Sequence, residues 1–123
     1  MSLLLLLACG PGLNLSGDWS GAMICDETEY RLDWGPVERV GGLWQGAGVL
    51  DYGDSALGER MLEFELEVEV TRDGLDAQLY DCELVYASAP EPAPCLPITL
   101  EADEEDPNFL SGTLDICAVE LSR

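Results

Sequence analysis

Carboxylates and thiols are the reactive side chains that this sequence offers in number, because it contains 25 Asp and Glu residues and 5 Cys but no His or Lys. Without histidine, Ser-His-Asp and Cys-His nucleophilic catalysis are excluded, and without lysine so is Schiff-base chemistry. Two neighbouring carboxylates can hydrolyse a glycoside, but in a chain this acidic some pair of carboxylates is inevitable. The composition therefore predicts a protein without enzymatic activity and without a cofactor.

The densest group of oxygen ligands lies between residues 101 and 108. It comprises Glu101, Asp103, Glu104, Glu105, Asp106 and Asn108. Calcium binds such oxygens, but the segment lacks the D-x-D-x-D-G spacing of an EF-hand loop. Zinc is disfavoured as well, because the chain has no histidine and no C-x-x-C pair. We therefore interpret the segment as a solvated acidic loop and predict no metal site.

The formal net charge of the chain is −20 at pH 7. Its basic residues are five scattered arginines, namely Arg31, Arg39, Arg60, Arg72 and Arg123. Nucleic-acid binding requires clustered basic side chains that hold phosphates, and an anionic lipid surface repels a chain of the same sign. Neither nucleic acid nor a bare anionic lipid surface is therefore predicted as a direct partner. Solvation of an exposed face explains the acidity best; a salt-rich habitat would select the same composition.

One thiol stands apart in the first ten residues, MSLLLLLACG. Leu6-Leu7-Ala8-Cys9 resembles the lipobox of bacterial lipoproteins, in which an apolar residue, a permissive position and a small residue precede the cysteine. The resemblance implies cleavage after Ala8, a diacylglyceryl group on the Cys9 sulfur and acylation, for example by palmitate, of the new amino terminus. It predicts a signal peptide over residues 1–8, a lipidated cysteine and tether over 9–14, and one folded domain over 15–123.

The lipobox resemblance also implies a location and a partner. Several acyl chains anchor a protein stably to a membrane, so we expect a monomer in the bacterial cell envelope, at the outer membrane or cell surface rather than free in the periplasm. The leucine run is too short for a transmembrane helix, which needs about 20 residues. A buried N-terminal strand is the alternative interpretation of the run.

The other four cysteines are predicted to form two disulfides, because an exported protein leaves the reducing cytoplasm. Four cysteines allow three connectivities. We favour Cys25 with Cys117, which would join the first strand to the last, and Cys82 with Cys95, which would fasten a proline-rich segment to a hairpin.

The clearest structural element is the stretch Met61 to Tyr86, MLEFELEVEVTRDGLDAQLYDCELVY. Apolar residues alternate with glutamates from Leu62 to Val70, which is the period-2 pattern of a strand buried on one side. Asp73-Gly74 predicts a two-residue hairpin turn, which would pair Val68 with Leu79. The apolar positions change parity before Cys82, so we predict a β-bulge near Tyr80.

The remaining elements are also predicted to be strands. Residues 15–25, 29–34, 37–52, 98–101 and 109–121 carry short apolar or alternating runs, with a turn at Gly35-Pro36 and a loop over 53–59. Residues 87–97 contain four prolines and predict a stiff surface connection. The chain is therefore expected to be all-β, an antiparallel meander of about seven or eight strands that forms a barrel, a flattened barrel or a sandwich.

Gly17-Asp18-Trp19 resembles the G-x-W signature of lipocalins and related calycin barrels. The resemblance implies that Trp19 closes one end of a barrel and that a basic residue after the last strand, here Arg123, packs over it. In such a barrel the aromatics Trp34, Trp44, Tyr52, Tyr80 and Tyr86, together with Phe64, could line an apolar cavity; filling of the core is the alternative role.

These observations favour two functions over a third, a carboxylate-based enzyme, which two close carboxylates in a cleft, one of them with a raised pKa, would support. The first is a non-catalytic, exported and lipid-anchored β-domain that serves as a structural or interaction module at a bacterial envelope. The second is a lipocalin-like binder of a small apolar ligand. A cavity of a few hundred cubic ångströms inside the barrel would favour the second function, whereas a filled core would exclude it.

Overall fold

A computed structural model describes residues 13–55, 58–72, 74–85 and 90–123. Every regular element in these residues is a β-strand, which confirms the predicted all-β class. The described residues include no helix that is long and apolar enough to cross a membrane. The strands are β1 (Gly17–Cys25), β2 (Thr28–Val40), β3 (Leu43–Ser55), β4 (Gly58–Val70), β5 (Leu75–Val85), β6 (Pro90–Pro92), β7 (Ile98–Ala102), β8 (Phe109–Leu114) and β9 (Cys117–Ser122).

Eight of these strands form a closed antiparallel barrel. The order around it is β4-β3-β2-β1-β9-β8-β7-β5, and pairing of β5 with β4 closes the ring. The ninth strand, β6, pairs with the last residues of β5. Because the ring is closed, none of its eight strands is an exposed sheet edge. Of the three architectures predicted from the sequence, namely a barrel, a flattened barrel and a sandwich, the structure is therefore a barrel.

The hairpin of β4 and β5 has the predicted alternation but a different turn. Val68 pairs with Ala77 and Val70 with Leu75, so the predicted register was wrong by two residues. Thr71 N–H donates to the Gly74 carbonyl at 2.7 Å, and Gly74 N–H donates to Thr71 Oγ1 at 3.1 Å. These bonds extend the ladder and move the loop one position earlier than Asp73-Gly74; Asp73 lies outside the described residues.

The bulge predicted near Tyr80 is confirmed. Glu65 pairs with Tyr80, whereas Glu63 pairs with Glu83, so β5 holds one extra residue there. Asp81 adopts a positive φ of 53°, a conformation that Asp tolerates better than most residues. The extra residue turns Asp81 outward and Cys82 inward, which restores the buried face of the strand.

Two predicted connections and one predicted strand were wrong. Gly35-Pro36 lies within β2 as an irregularity, because the ladder resumes at Glu38 after Trp34. The predicted loop over residues 53–59 is mostly strand, since β3 continues to Ser55 and β4 starts at Gly58. The predicted final strand over 109–121 is a hairpin, whose turn holds Asp115 with a φ of 55°.

Both disulfides have the connectivity that the sequence favoured. Cys25 is bonded to Cys117 and links β1 to β9. Cys82 is bonded to Cys95 and fastens the segment between β6 and β7 to β5. A further hydrogen bond, from Ala93 N–H to the Cys82 carbonyl at 2.9 Å, holds the same segment. We call residues 93–97 the connector.

One end of the barrel is closed by Trp19 and the residues around it. The Trp19 side chain is 1 % exposed and its indole N–H donates to the Leu15 carbonyl at 2.8 Å. The Arg123 guanidinium lies 4.5 Å from the centroid of the Trp19 rings and donates to the carbonyls of Asn14, Ser16 and Pro107. Leu13 packs against the core, so residues 13 and 14, assigned to the tether from sequence, also contact the barrel.

Candidate functional site

The core changes along the barrel axis from fully packed to partly open. Leu100, Leu110 and Leu121 are completely buried, whereas the inward-facing Leu62 and Leu114 are 8 % and 9 % exposed. The second group lies toward the end of the barrel that carries the β1–β2 turn, the β8–β9 turn and the connector. We call this the open end.

A cavity of about 310 Å³ occupies the interior at the open end. Its lining comes from four strands and the connector, and is apolar except at two side chains. The residues are Leu50, Tyr52, Arg60, Leu62, Leu79, Leu84, Ala93, Pro94, Leu96 and Leu114. Ligand pockets begin at about 300 Å³ and are mostly apolar with a few polar groups. In volume and lining, the cavity therefore has the properties of a small ligand site.

Arg60 is the charged member of the lining. It lies two residues before Leu62 on β4, and residues two apart in a strand face the same side, so Arg60 belongs to the inward row. Its Nε is buried and has no hydrogen-bond partner. Among the described side chains, no carboxylate forms an ion pair with Arg60. A ligand in the cavity could therefore supply the hydrogen-bond acceptor that the Arg60 Nε–H lacks.

Tyr52 is the second polar side chain and lies beside Arg60. The Arg60 guanidinium carbon is 5.8 Å from the centroid of the Tyr52 ring, which is within cation–π distance. The Tyr30 ring packs edge-on against the Tyr52 ring, and the two ring centroids are 5.3 Å apart. Burial raises the pKa of the Tyr52 phenol above its ordinary value, Tyr30 raises it further and Arg60 opposes the rise. Tyr52 is therefore a neutral phenol at physiological pH.

A bulge in β3 places Tyr52 at this position. The β3–β4 ladder pairs Asp51 with Met61 and Gly53 with Arg60, so Tyr52 is the extra residue. Gly53 has a positive φ of 76°, which glycine adopts at little cost. Its N–H donates to Asp51 Oδ1 at 2.7 Å, and this bond stabilises the bulge.

The connector forms one wall of the cavity. Ala93, Pro94 and Leu96 contribute to the lining, and the Cys82–Cys95 disulfide holds them against β5. Leu96 is 44 % exposed, so it lies where the cavity meets solvent. Pro94 and Pro97 restrict the backbone on either side. The connector is therefore a fastened wall of the site.

Of the described aromatic residues that were predicted to line a cavity, one lines it and the others lie elsewhere. Tyr52 lines it, whereas Trp34, Trp44 and Phe64 are buried in the packed core and are absent from its lining. Tyr80 is 46 % exposed on the outer face. Tyr86 and Cys9 lie outside the described residues.

Sequence reasoning missed Arg60 and the connector as parts of the site. The signal for Arg60 was present, because the alternation of Leu62, Phe64 and Leu66 continues backward by two residues to Arg60. An arginine in the inward register of an apolar row is unusual unless it is paired or bound. For the connector, the Cys82–Cys95 pairing already indicated that the prolines lie against the hairpin.

A second concave surface lies on the outside of the barrel and is acidic. This groove of about 1100 Å³ crosses β1 to β5. Its carboxylates are Asp18, Asp33, Glu63, Glu65, Asp81 and Glu83. A hydrogen bond with Asp81, together with the charge of that residue, raises the pKa of the exposed Glu65 carboxyl. The groove is larger than the interior cavity but is open to solvent, and no group of three ligands in the described residues could hold a metal ion.

The acidic segment between β7 and β8 uses its oxygens internally. Asp103 Oδ1 accepts hydrogen bonds from the N–H groups of Glu105 and Asp106 at 2.8 and 3.0 Å. Asp106 Oδ1 accepts another from Asn108 N–H at 2.9 Å. These carboxylates therefore stabilise the turns of an exposed loop.

No protein-family model, curated protein or solved structure matches this chain. The arguments about function therefore depend on the geometry of the barrel and on the sequence itself.

Proposed function

We propose that this chain is a non-catalytic, exported and lipid-anchored β-barrel that binds a small apolar ligand in the cavity at its open end. The observation that carries the proposal is the cavity of about 310 Å³ among inward-facing side chains. At roughly 30 Å³ for a water-sized group, it holds about ten non-hydrogen atoms. Burial of an apolar ligand of that size is favourable because it removes apolar surface from water.

The position of the cavity supports its interpretation as a ligand-binding site and not as a packing defect. The closed end of the same core is filled by Trp19 and fully buried leucines, so the chain is able to pack its interior. At the open end, a disulfide-fastened connector maintains a wall beside empty space instead of collapsing into it. Empty apolar space lowers stability, and ligand binding gives that space a function.

Export and anchoring are supported by two independent features. Leu6-Leu7-Ala8-Cys9 has the lipobox pattern, and two disulfides fit an oxidising compartment outside the cytoplasm. Cys9 lies four residues before Leu13, a span of at most about 14 Å. The anchor would therefore attach near the closed end, and the cavity would open toward the aqueous side.

The acidic groove favours a second function, an interaction module at the envelope. Among the described residues, the groove lining includes six carboxylates and no basic side chain, so it would attract a positively charged protein surface. This function does not use the interior cavity. Ligand binding and interaction are therefore separable by variants of the cavity alone.

Filling the cavity from the connector is expected to abolish ligand binding. In calorimetry with 1-decanol, the unaltered protein should show saturable one-to-one binding, whereas Ala93→Trp should weaken it at least tenfold because the indole occupies the ligand's space. Ala118→Trp is the matched control, since Ala118 is exposed on β9 and away from the cavity lining. Absence of saturable binding, or unchanged binding by Ala93→Trp, would contradict the proposal.

Lipidation is expected to be visible in the mass of the native protein. Intact mass spectrometry of the membrane fraction should give a chain that begins at acylated Cys9 and retains two disulfides. Cys9→Ser should release the protein from the membrane fraction while leaving decanol binding unchanged. A native mass that begins at unmodified Met1 would exclude the anchor.

A further inference from the structure

We infer that the ligand of this cavity is an amphiphile with a negatively charged head group, which the Arg60 guanidinium binds at the open end. The inference rests on the proposed ligand binding and adds the chemical class of the ligand. In a protein with a net charge of −20, the simpler expectation from charge alone is a cationic ligand. The local geometry points the other way.

The first argument is the position of Arg60 within the barrel. Arg60 as a whole is half-buried, but an arginine whose Nε is buried in an inward, apolar row is uncommon unless that group has an acceptor. Arg60 shares the inward face of β4 with Leu62 and contributes to the cavity lining. Its buried Nε–H lacks an acceptor, and a carboxylate or similar anion would supply one through a charge-assisted hydrogen bond.

The second argument compares Arg60 with Arg31, Arg39 and Arg123. Arg31 forms an ion pair with Asp33 at 2.8 Å, and Arg123 donates to several backbone carbonyls at the closed end. Arg39 lies 5.9 Å from the Trp44 ring, outside the cavity lining. Arg60 alone among these combines a place in the cavity with a buried unbonded donor.

The third argument is the arrangement of polar and apolar groups. Arg60 and Tyr52 lie beside each other, while leucines from β3, β4, β5 and β8 form the remainder of the inward lining. A ligand with one charged head and an apolar body of about ten non-hydrogen atoms matches both parts. The net negative charge of the outer surface acts weakly at this site, since salt screens charges over about 8 Å at physiological ionic strength.

Three probes of equal chain length and different head groups test the inference. Decanoate, 1-decanol and decyltrimethylammonium should be titrated calorimetrically at pH 7.5 into the unaltered protein and its variants. We expect decanoate to bind at least tenfold more tightly than decanol, and decyltrimethylammonium to bind most weakly. Arg60→Met should lose the preference for decanoate over decanol, and Arg60→Lys should retain part of that preference.

Arg39→Met is the control, because it changes the net charge by the same amount outside the cavity. It should keep the full preference for decanoate. Decanol binding without a preference for decanoate would overturn this inference and leave the proposed function standing, as would an equal loss of preference in Arg39→Met. Failure of both decanoate and decanol to bind the unaltered protein would overturn the inference and the proposed function together.

Discussion

Replacement of both Cys25 and Cys117 by alanine is expected to lower the free energy of unfolding by about 4.5 kcal/mol. The disulfide joins residues 92 positions apart, and closing so long a loop removes much of the entropy of the unfolded chain. It also fixes β1 against β9, which are far apart in sequence but adjacent in the barrel. A loss of this size approaches the whole stability of many small domains.

Urea denaturation monitored by tryptophan fluorescence measures this loss. The paired control is Cys82→Ala with Cys95→Ala, which opens a loop of only 13 positions and should cost about 3 kcal/mol. The control should also weaken decanol binding, because it releases the connector from β5. An equal or larger loss of stability in the control would show that unfolded-chain entropy does not explain the difference.

Truncation of Trp19 to alanine is the second large effect, with an expected cost of about 3–5 kcal/mol. The substitution empties the closed end of the core, where the indole is almost fully buried. It also removes the aromatic face against which Arg123 packs. The Arg123 guanidinium connects the first and last described segments of the chain. Loss of its packing against Trp19 is therefore expected to weaken the attachment of both segments to the barrel.

A pair of conservative variants separates packing from hydrogen bonding. Trp19→Phe removes an indole N–H that donates to the Leu15 carbonyl at 2.8 Å, whereas Trp34→Phe removes a buried indole N–H that has no partner in the structure. Both substitutions remove the same atoms from the core. Trp19→Phe should therefore be the more destabilising by about 1 kcal/mol, and the reverse order in urea denaturation would contradict the hydrogen-bond argument.

The parts of the fold that the sequence predicts well are those set by side-chain alternation. The glutamate and apolar positions of β4 face opposite sides because successive residues in a strand do so. The change of parity before Cys82 required an extra residue, which is present at the bulge with Asp81. The disulfide pairs followed from the expected order of the strands.

Turns and irregularities were less predictable because their conformations depend on contacts made across the barrel. Gly35-Pro36 has turn-forming composition, yet pairing with β3 on either side carries β2 through it. The turn at Asp115 lacks glycine and depends on a positive φ at that residue. The Thr71 side chain, through its bond with Gly74, shifts the β4–β5 loop by one position.

The candidate site was only partly accessible to sequence reasoning. Aromatic residues suggested a cavity, but Trp34 and Phe64 fill the core instead, because whether a large side chain lines or fills space depends on its level along the barrel axis. Arg60 could have been assigned to the inward row from its register. Its approach to Tyr52 could not, because that depends on the bulge at Gly53.

The central claim is that the open end of the barrel binds a ligand inside the cavity. Methyl NMR during titration with 1-decanol tests this most directly, because Leu62, Leu79, Leu84 and Leu114 line the cavity while Leu100, Leu110 and Leu121 lie in the packed core. We predict saturable shifts for the first group and unchanged signals for the second. Absence of shifts in the first group, or shifts confined to residues of the outer acidic groove, would contradict the claim.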